Sequence, residues 1–227
     1  MASTNRCTYC GKEFAKARTL QVHLCEPKRR YLQKDEKWVV NAFMVFQRFY
    51  QIHQHNSKLK TYDEFVKSAY YNAFVKFGRF IMHINPLYPE KYIDFVLRSK
   101  IKLDHWARDD LYETYLIEAL KTEPVESALQ RSITTMMDWA TEQNAQWSDY
   151  FRLVNTNRAV QHIQQGKISP WLLLGCSAGK RMLKSFNDEQ LQMIERFINP
   201  SFWPSKLKSY PADHMLVKDT AKEAKIV

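Results

Sequence analysis

The sequence CTYCGKEFAKARTLQVHLC, residues 7–25, decides how the N-terminal part of this 227-residue chain folds. Two residues separate Cys7 from Cys10, and Gly11 allows the tight turn that would direct both thiolates at one metal ion. Twelve residues then separate Cys10 from His23, which is enough for a short strand and about two turns of helix. The spacing therefore predicts that an imidazole returns to the two thiolates.

The fourth candidate ligand, Cys25, follows His23 with a single residue between them. Side chains two positions apart on a continuous helix point roughly 200° away from each other, so both can bind one ion only if the helix ends near His23. Pro27 favours such an end, because a proline disfavours helical geometry at the residue before it, here Glu26. A redox role for the two closely spaced cysteines is the alternative, although no βαβ pattern surrounds them.

These spacings predict a structural zinc site. The predicted metal ligands are Cys7, Cys10, His23 and Cys25. Thiolate-rich tetrahedral coordination favours Zn²⁺ over Mg²⁺ or Ca²⁺, and a closed set of protein ligands leaves no open position for catalysis. Phe14 and Leu20 would supply only a small apolar core, so metal binding and folding of this segment should be a single event.

From Cys7 through His23, with Phe14 and Leu20 included, the segment resembles a C2H2-type zinc finger of the ββα kind, in a C2HC variant. It departs from that family at Cys25, because family members place about three to five residues between the last two ligands. The resemblance implies that the helix enters the major groove of DNA and contacts bases from a few fixed positions. Carried onto this chain, those positions are Lys16, Thr19 and Val22, with Arg18 between them.

Positive charge is concentrated in the same part of the chain. The formal net charge is +10, and residues 1–34 contribute +6 of it, from eight Lys and Arg against two acids. The run Lys28-Arg29-Arg30 follows the last ligand and suits contact with phosphates, which gives affinity without sequence information. A solvated linker is the alternative for this run. We therefore expect a nucleic-acid partner, with DNA favoured.

The composition excludes several other classes of protein. Hydrophobic residues make up 45% of the chain and aromatic residues 14%, which is too much for a wholly disordered chain. Five glycines argue against glycine-rich phosphate loops, and four cysteines are too few for a disulfide scaffold. No apolar run approaches the roughly 18 residues of a membrane span, and the N-terminus lacks an apolar signal core. We therefore expect no membrane partner and an intracellular location.

From Asp35 onward the apolar residues recur at helical spacing, and no strand pattern appears outside the finger. The predicted fold class is mainly α, with an N-terminal ββα zinc finger followed by a multi-helix domain. Helices are expected from 35 to about 52 and over 61–83, 90–99, 105–121, 124–142, 146–165, 169–184 and 187–198. The predicted domains are a finger over 1–27, a basic linker over 28–34, a helical domain over 35–204 and a loosely ordered tail over 205–227.

The helical body carries two ambiguous patterns. Asp109 and Glu113 lie four residues apart on one helix face, where they would either hold a catalytic magnesium ion or complement the helix dipole. A second pattern interleaves aromatic and basic residues, and it indicates either stacking on single-stranded bases or a core with a basic rim. Its members are Lys67, Tyr70, Tyr71, Phe74, Lys76, Phe77 and Arg79.

Together these features predict a zinc-finger nucleic-acid-binding protein with an accessory or regulatory role in replication or transcription. The helical body would add a basic surface or dock a protein partner, and it contains no recognisable catalytic motif. One alternative is a metal-dependent nuclease targeted by the finger, with Asp109 and Glu113 at its centre; another is an adaptor whose finger docks protein. The body resembles uncharacterised helical proteins of large tailed phages without a shared motif, which implies the cytoplasm of a phage-infected bacterium. A eukaryotic protein of this kind would be nuclear.

Overall fold

The computed structural model describes residues 5–54 and 58–226. Within these residues the chain is mainly α-helical, as predicted, with a β-hairpin near its N-terminal end. It forms two compact units, the first extending to Tyr112 and the second beginning at Glu113. This boundary lies inside the range 35–204 that the sequence predicts as one domain. It also lies inside a continuous helix, where the composition gives no sign of a division.

The first unit begins with the predicted ββα arrangement and continues into further helices. Strands β1 (Asn5–Arg6) and β2 (Glu13–Phe14) pair antiparallel, with Asn5 opposite Phe14 and Arg6 opposite Glu13. The helices that follow are α1 (Ala17–Val22), α2 (Glu26–Leu32), α3 (Lys37–Gln54), α4 (Tyr62–Lys67), α5 (Tyr71–Ile84) and α6 (Pro89–Arg98). A 3-10 turn (Leu103–His105) precedes α7 (Asp109–Thr122), which runs across the boundary between the units.

Helices α3 and α5 pack closely at the centre of the first unit. Gly78 of α5 permits this approach, because a Cβ atom at that position would lie 2.3 Å from the carbonyl oxygen of Trp38 on α3. Buried aromatic rings surround the contact, and those of Phe46 and Phe74 meet edge to face with centroids 5.3 Å apart. Tyr71, Phe74 and Phe77 of the aromatic pattern are buried in this core, whereas Tyr70 is 60% exposed. Three of the four aromatic residues of the pattern therefore serve packing.

The second unit consists of helices throughout its described residues. They are α8 (Val125–Gln143), α9 (Tyr150–Leu153), α10 (Thr156–Gln164), α11 (Pro170–Gly175), α12 (Ser177–Leu183), α13 (Asp188–Ile198), α14 (Trp203–Ser209) and α15 (Pro211–Glu223). A 3-10 turn (Trp147–Asp149) precedes α9. Across the described part of the chain, no helix combines the length and the apolar character that crossing a membrane requires.

A buried ion pair fixes the loop before α11 in the second unit. The Glu123 side chain has no exposed surface, and its carboxylate accepts hydrogen bonds from both Nη atoms of Arg131 at 2.6 and 2.8 Å. It also accepts a hydrogen bond from the Ser169 hydroxyl at 2.9 Å. Arg131 donates through Nε to the Gly166 carbonyl at 2.6 Å. A buried charge is tolerated here because its hydrogen-bonding capacity is met by fixed partners.

The helix starts predicted at 61 and 187 are confirmed, and both carry a capping box. Thr61 and Glu64 form a capping box at the start of α4, and Asn187 and Gln190 form another at the start of α13. In each pair the first side chain accepts a hydrogen bond from the backbone N–H three residues on, and the second accepts one from the capping residue. Local signals of this kind do not depend on the tertiary fold.

Three predicted helices are interrupted in the structure. Breaks separate α4 from α5 within the range 61–83, α9 from α10 within 146–165, and α11 from α12 within 169–184. Side chains of Asn155 and Cys176 accept hydrogen bonds from the first N–H groups of α10 and α12, which lowers the cost of starting a new helix. Because the apolar spacing continues through each break, periodicity alone does not reveal it.

Two segments predicted as a linker and a loose tail are helical instead. Most of the predicted linker 28–34 lies in α2, and Pro27 occupies the first turn, where its missing N–H costs no hydrogen bond. Most of the predicted tail lies in α14 and α15, where Leu207, Val217 and Ala221 are buried. Lysines surround these few apolar residues in the sequence. The helical spacing of apolar residues is therefore too weak to predict α14 and α15 from the sequence alone.

Candidate metal centre

The hairpin brings the first two cysteines to one side of the N-terminal segment. Gly11 adopts a φ of +74°, the left-handed region that favours glycine, and its N–H donates to the Cys7 carbonyl at 2.8 Å. The Cys7 N–H in turn donates to the Lys12 carbonyl at 2.8 Å. The chain thus turns tightly after Cys10, as its sequence predicts.

The other two candidate ligands lie in the break between α1 and α2. Helix α1 ends at Val22, and His23 is extended with φ −68° and ψ 119°. Cys25 is also extended, with φ −79° and ψ 163°, and it precedes α2 as the capping residue. The helix therefore ends before His23, which is the condition for both residues to face one ion. The predicted role of Pro27 is wrong, because Glu26 is already helical and Pro27 lies in the first turn of α2.

The four side chains converge as the sequence predicts. Their potential ligand atoms all lie within 4.8 Å of one another. The Sγ atoms of Cys7 and Cys25 are 3.9 Å apart, and Cys10 Sγ lies 3.3 Å from His23 Nε2. A tetrahedral zinc ion with ordinary bond lengths sets sulfur atoms about 3.8 Å apart and sulfur and nitrogen about 3.6 Å apart. The group is therefore of the size that such an ion requires, and its cysteines are free of disulfides.

Thiol chemistry in the group also favours a cation. The backbone N–H of Cys10 lowers the pKa of the Cys7 thiol below its ordinary value. At Cys10 the Lys12 N–H lowers the pKa, but burial and the neighbouring thiols of Cys25 and Cys7 outweigh it and raise the pKa. Thiolates crowded together repel one another, and a cation between them removes that repulsion. The donor set therefore fits a metal ion.

Little else holds this segment together. Among residues 5–34 only Cys7 is buried, with 4% of its surface exposed. The rings of Phe14 and His23 lie 4.7 Å apart, and the Lys28 ammonium donates to the His23 carbonyl at 3.1 Å. These few contacts orient the imidazole but bury little apolar surface, so the order of the segment depends on the ligands.

The residues predicted to contact bases lie together on an exposed helix. Lys16 caps α1, and Arg18, Thr19 and Val22 lie within it. All four are exposed, and α1 buries none of its residues. The side chains to which the zinc-finger resemblance assigns base contacts are therefore all accessible to a ligand.

The three residues of the basic run have different surroundings. Lys28 is half-buried against His23, while Arg29 is exposed and pairs with Glu26. Arg30 is largely buried: it donates to the Val66 carbonyl, and its guanidinium lies 4.2 Å from the centroid of the Tyr71 ring. Of the three, Arg29 is the residue most available to a phosphate, and Arg30 anchors α2 to the helices behind it.

Further contacts on α2 were not signalled by the sequence. The Tyr31 ring lies 5.3 Å from that of Tyr9, and its hydroxyl donates to Asp63, which raises the pKa of Tyr31 to about 12. The Tyr62 hydroxyl donates to the Arg30 carbonyl at 2.8 Å. The hydrogen bonds of the Tyr31 and Tyr62 hydroxyls fix α2 relative to α4 within the first unit. Each joins residues 32 positions apart, which no local pattern reveals.

Of the two acidic residues considered for catalysis, Glu113 pairs with Arg196 at 2.8 Å, and Asp109 lies exposed at the start of α7. Among the residues that the structure describes, Cys7, Cys10, His23 and Cys25 form the one group of three or more Cys, His, Asp or Glu side chains that could hold a metal ion. Comparison of the chain with family models, with curated proteins and with solved structures finds no match.

Proposed function

We propose that Cys7, Cys10, His23 and Cys25 bind one Zn²⁺ and that residues 7–25 are a C2HC zinc finger. The convergence of three thiols and one imidazole Nε2 within 4.8 Å supports this. When bound, the ion supplies the folding free energy that the small core lacks. Its role is structural because four protein ligands close the tetrahedral site.

The finger binds nucleic acid, with DNA favoured, through the exposed face of α1. Lys16, Arg18, Thr19 and Val22 supply base and phosphate contacts on this face, and exposed Arg29 supplies a phosphate contact from α2. A single finger covers about three base pairs, so most of its affinity must come from phosphates. An accessory or regulatory role in replication or transcription is the class of function that fits such a module.

A salt-titrated binding assay with the full chain tests this function. Probes of single-stranded DNA, double-stranded DNA and RNA are compared with and without a zinc chelator. We expect binding to DNA that weakens steeply with salt and is reduced by the chelator. Lys16→Gln with Arg18→Gln should weaken it, whereas Arg98→Gln, at an exposed position of α6, should not. DNA affinity that is absent, or indifferent to both salt and chelator, would contradict the proposal.

One observation favours a second function, the docking of a protein by the finger together with α2. Val22, Leu24 and Leu32 are 76%, 61% and 66% exposed, which is unusual exposure for three large apolar side chains so close in sequence. If the finger is an adaptor, replacing Lys16 or the run Lys28-Arg29-Arg30 by alanine leaves DNA affinity unchanged. The same binding assay, carried out with these alanine variants as well, therefore separates the two functions.

A further inference from the structure

A second basic surface lies in the first unit, in a cleft of about 480 Å³ between helices α2 and α5. Asn72, Lys76 and Arg79 line it from α5. They follow one another at steps of four and three residues, so they share one face of the helix, and all three are exposed. Helix α2 lines the other side with Glu26, Arg29, Arg30 and Gln33.

The cleft holds positive charge that the described chain does not neutralise. Four cationic side chains line it against one carboxylate, Glu26, which pairs with the two arginines of its own helix. Neither Lys76 nor Arg79 has an acidic partner among the residues that the structure describes. Arg79 is held instead with its guanidinium 5.5 Å from the ring centroid of Trp38. Lys76 and Arg79, two exposed cations without a carboxylate partner, suit an anion from outside the chain.

The lining suits phosphate groups and offers no ring for stacking on bases. Tyr71 is the aromatic residue of the cleft, but only 3% of its surface is exposed and the Arg30 guanidinium covers its ring. A buried ring cannot stack on a base, whereas arginine, lysine and amide side chains donate hydrogen bonds to phosphate oxygens. Asn72 and Gln33 supply such amides beside the cations. The cleft therefore suits a ligand with repeated phosphates.

The cleft and the finger share one helix. Cys25 caps α2, and Arg29 lies four residues later, about 6 Å further along the helix axis. The hydrogen bond from Lys28 to the His23 carbonyl joins the same helix to the finger. For a nucleic-acid strand bound to the finger, α2 thus fixes the position of the cationic side chains that line the cleft.

We propose that this cleft binds the phosphodiester backbone of a nucleic-acid strand, with Lys76 and Arg79 as its principal contacts and Arg29 contributing from α2. The proposal rests on the nucleic-acid binding proposed for the finger. It supplies affinity that is independent of sequence, which a single finger lacks. It also assigns a ligand to the basic residues of α5, whose aromatic neighbours are used for packing.

The test compares two double variants of the full chain that each remove two positive charges from one helix. Lys76→Gln with Arg79→Gln alters the cleft, and Lys91→Gln with Arg98→Gln alters exposed positions of α6 outside it. Affinity for a DNA probe is measured from about 0.05 to 0.3 M salt, a range in which each lost phosphate contact reduces the slope of log K against log salt by about 0.7–0.9. We expect the cleft variant to lower the slope by about 1–2 and the affinity about tenfold or more, and the control to change neither.

Two further measurements keep the outcomes distinct. Arg79→Lys conserves the charge and should retain most of the salt slope, and far-ultraviolet circular dichroism should show the same helix content in every variant. If the two double variants have equal slopes of log K against log salt while chelator-sensitive DNA binding persists, the proposal for the cleft is wrong. The function proposed for the finger would be unaffected by that result. Absence of DNA binding by the unaltered chain would overturn both. Cleft-dependent binding of a polyglutamate peptide without cleft-dependent binding of DNA would also overturn the proposal, because the partner would then be an acidic protein.

Discussion

The N-terminal head, residues 5–25, and the second unit, from Glu113 onward, obtain their order from different sources. Only Cys7 is buried in the head, whereas the second unit buries large side chains such as Trp171, Trp203 and Leu172 with at most 1% of their surface exposed. The head has four converging ligand side chains instead of a core. Burial of apolar surface explains the order of the second unit, and the metal binding that we propose would explain the order of the head.

The two regions also differ in how they accommodate charge. In the second unit Arg131 neutralises the buried carboxylate of Glu123, and Ser169 donates a hydrogen bond to it. Side chains of the protein itself therefore compensate this buried charge. In the head, three thiols lie together with no such partner in the described chain beyond one imidazole. Metal binding deprotonates cysteine thiols, and the resulting thiolates need the ion for neutralisation. The head should therefore respond to chelators, and the second unit, whose buried charge has an internal partner, should not.

The largest expected effect is selective unfolding of the head when the ion is removed. Structural zinc contributes apparent free energies of about 10–16 kcal/mol in finger peptides at neutral pH, far more than the head could gain from its core. Chelation, or Cys7→Ser, should therefore abolish amide protection over residues 5–25 and spare α3 to α15. Hydrogen exchange followed by mass spectrometry measures this.

A matched cysteine variant sharpens the same comparison. Cys176 is a buried free thiol outside the head that accepts a hydrogen bond from the Gly179 N–H. Cys176→Ser should leave both the zinc content and the protection of the head unchanged. Protection of the head that survives chelation would show that the two regions do not differ as described.

The next largest effect concerns the buried ion pair of the second unit. Glu123→Ala leaves the Arg131 guanidinium largely buried without its carboxylate, which should lower the free energy of unfolding by about 3–5 kcal/mol. The matched control is Glu118→Ala: Glu118 is 61% exposed and pairs with Lys121, so its loss should cost under about 1 kcal/mol. Chemical denaturation followed by tryptophan fluorescence compares them, and similar losses for both would refute the account of the pair.

A pH effect of similar size should come from His162 in the second unit. Burial lowers the pKa of this imidazole to about 4, with Lys167 and Arg158 adding to the shift, and its Nδ1 lies 2.8 Å from the Tyr150 hydroxyl. The unfolded chain takes up a proton below about pH 6.5 while the folded chain stays neutral, so stability falls as pH drops from about 6.5 to 4. The loss over this window is about 3 kcal/mol, and it is absent above it.

His162→Gln isolates this contribution from the titration of carboxylates. The variant lacks the titrating group, so the difference in unfolding free energy between wild type and variant should shrink as pH falls from 7 to 4.5. Denaturant melts at a series of pH values give that difference. A difference that is constant with pH would show that the imidazole is protonated equally in both states.

The smallest of these effects concerns the packing of α3 on α5. Gly78→Ala would place a Cβ atom 2.3 Å from the Trp38 carbonyl oxygen and 2.9 Å from the Ala42 nitrogen, so the two backbones must separate. We expect a loss of about 1–3 kcal/mol, despite the higher helix propensity of alanine. Thermal unfolding measures it, and an alanine variant as stable as wild type would show that the helices have room to move.

The sequence predicts the head better than it predicts the body. Cysteine and histidine spacing specifies the metal group because its members lie within 19 consecutive residues and the turn at Gly11 is local. The capping boxes at Thr61 and Asn187 are local for the same reason. The break at Cys176 and the helical tail depend on tertiary packing of residues such as Val217, which a periodic pattern does not specify.

The residues that we propose to contact nucleic acid show the same division. Exposure of Lys16, Arg18, Thr19 and Val22 follows from a short helix that buries nothing. The anchoring of Arg30 does not follow from the sequence, because its partners Val66 and Tyr71 lie 36 or more residues away. A basic run in sequence thus separates in the fold into one exposed cation and two that hold the finger in place.

X-ray absorption spectroscopy of the zinc-loaded full chain tests the central claim, that one metal ion held by Cys7, Cys10, His23 and Cys25 organises the head. The account predicts one zinc per chain, with three sulfur ligands at about 2.3 Å and one nitrogen ligand at about 2.0 Å. Cys25→Ser should replace one sulfur by a lighter atom, and Cys176→Ser should leave the spectrum unchanged. A chain that retains no zinc, or that binds it through oxygen and nitrogen alone, would contradict the account.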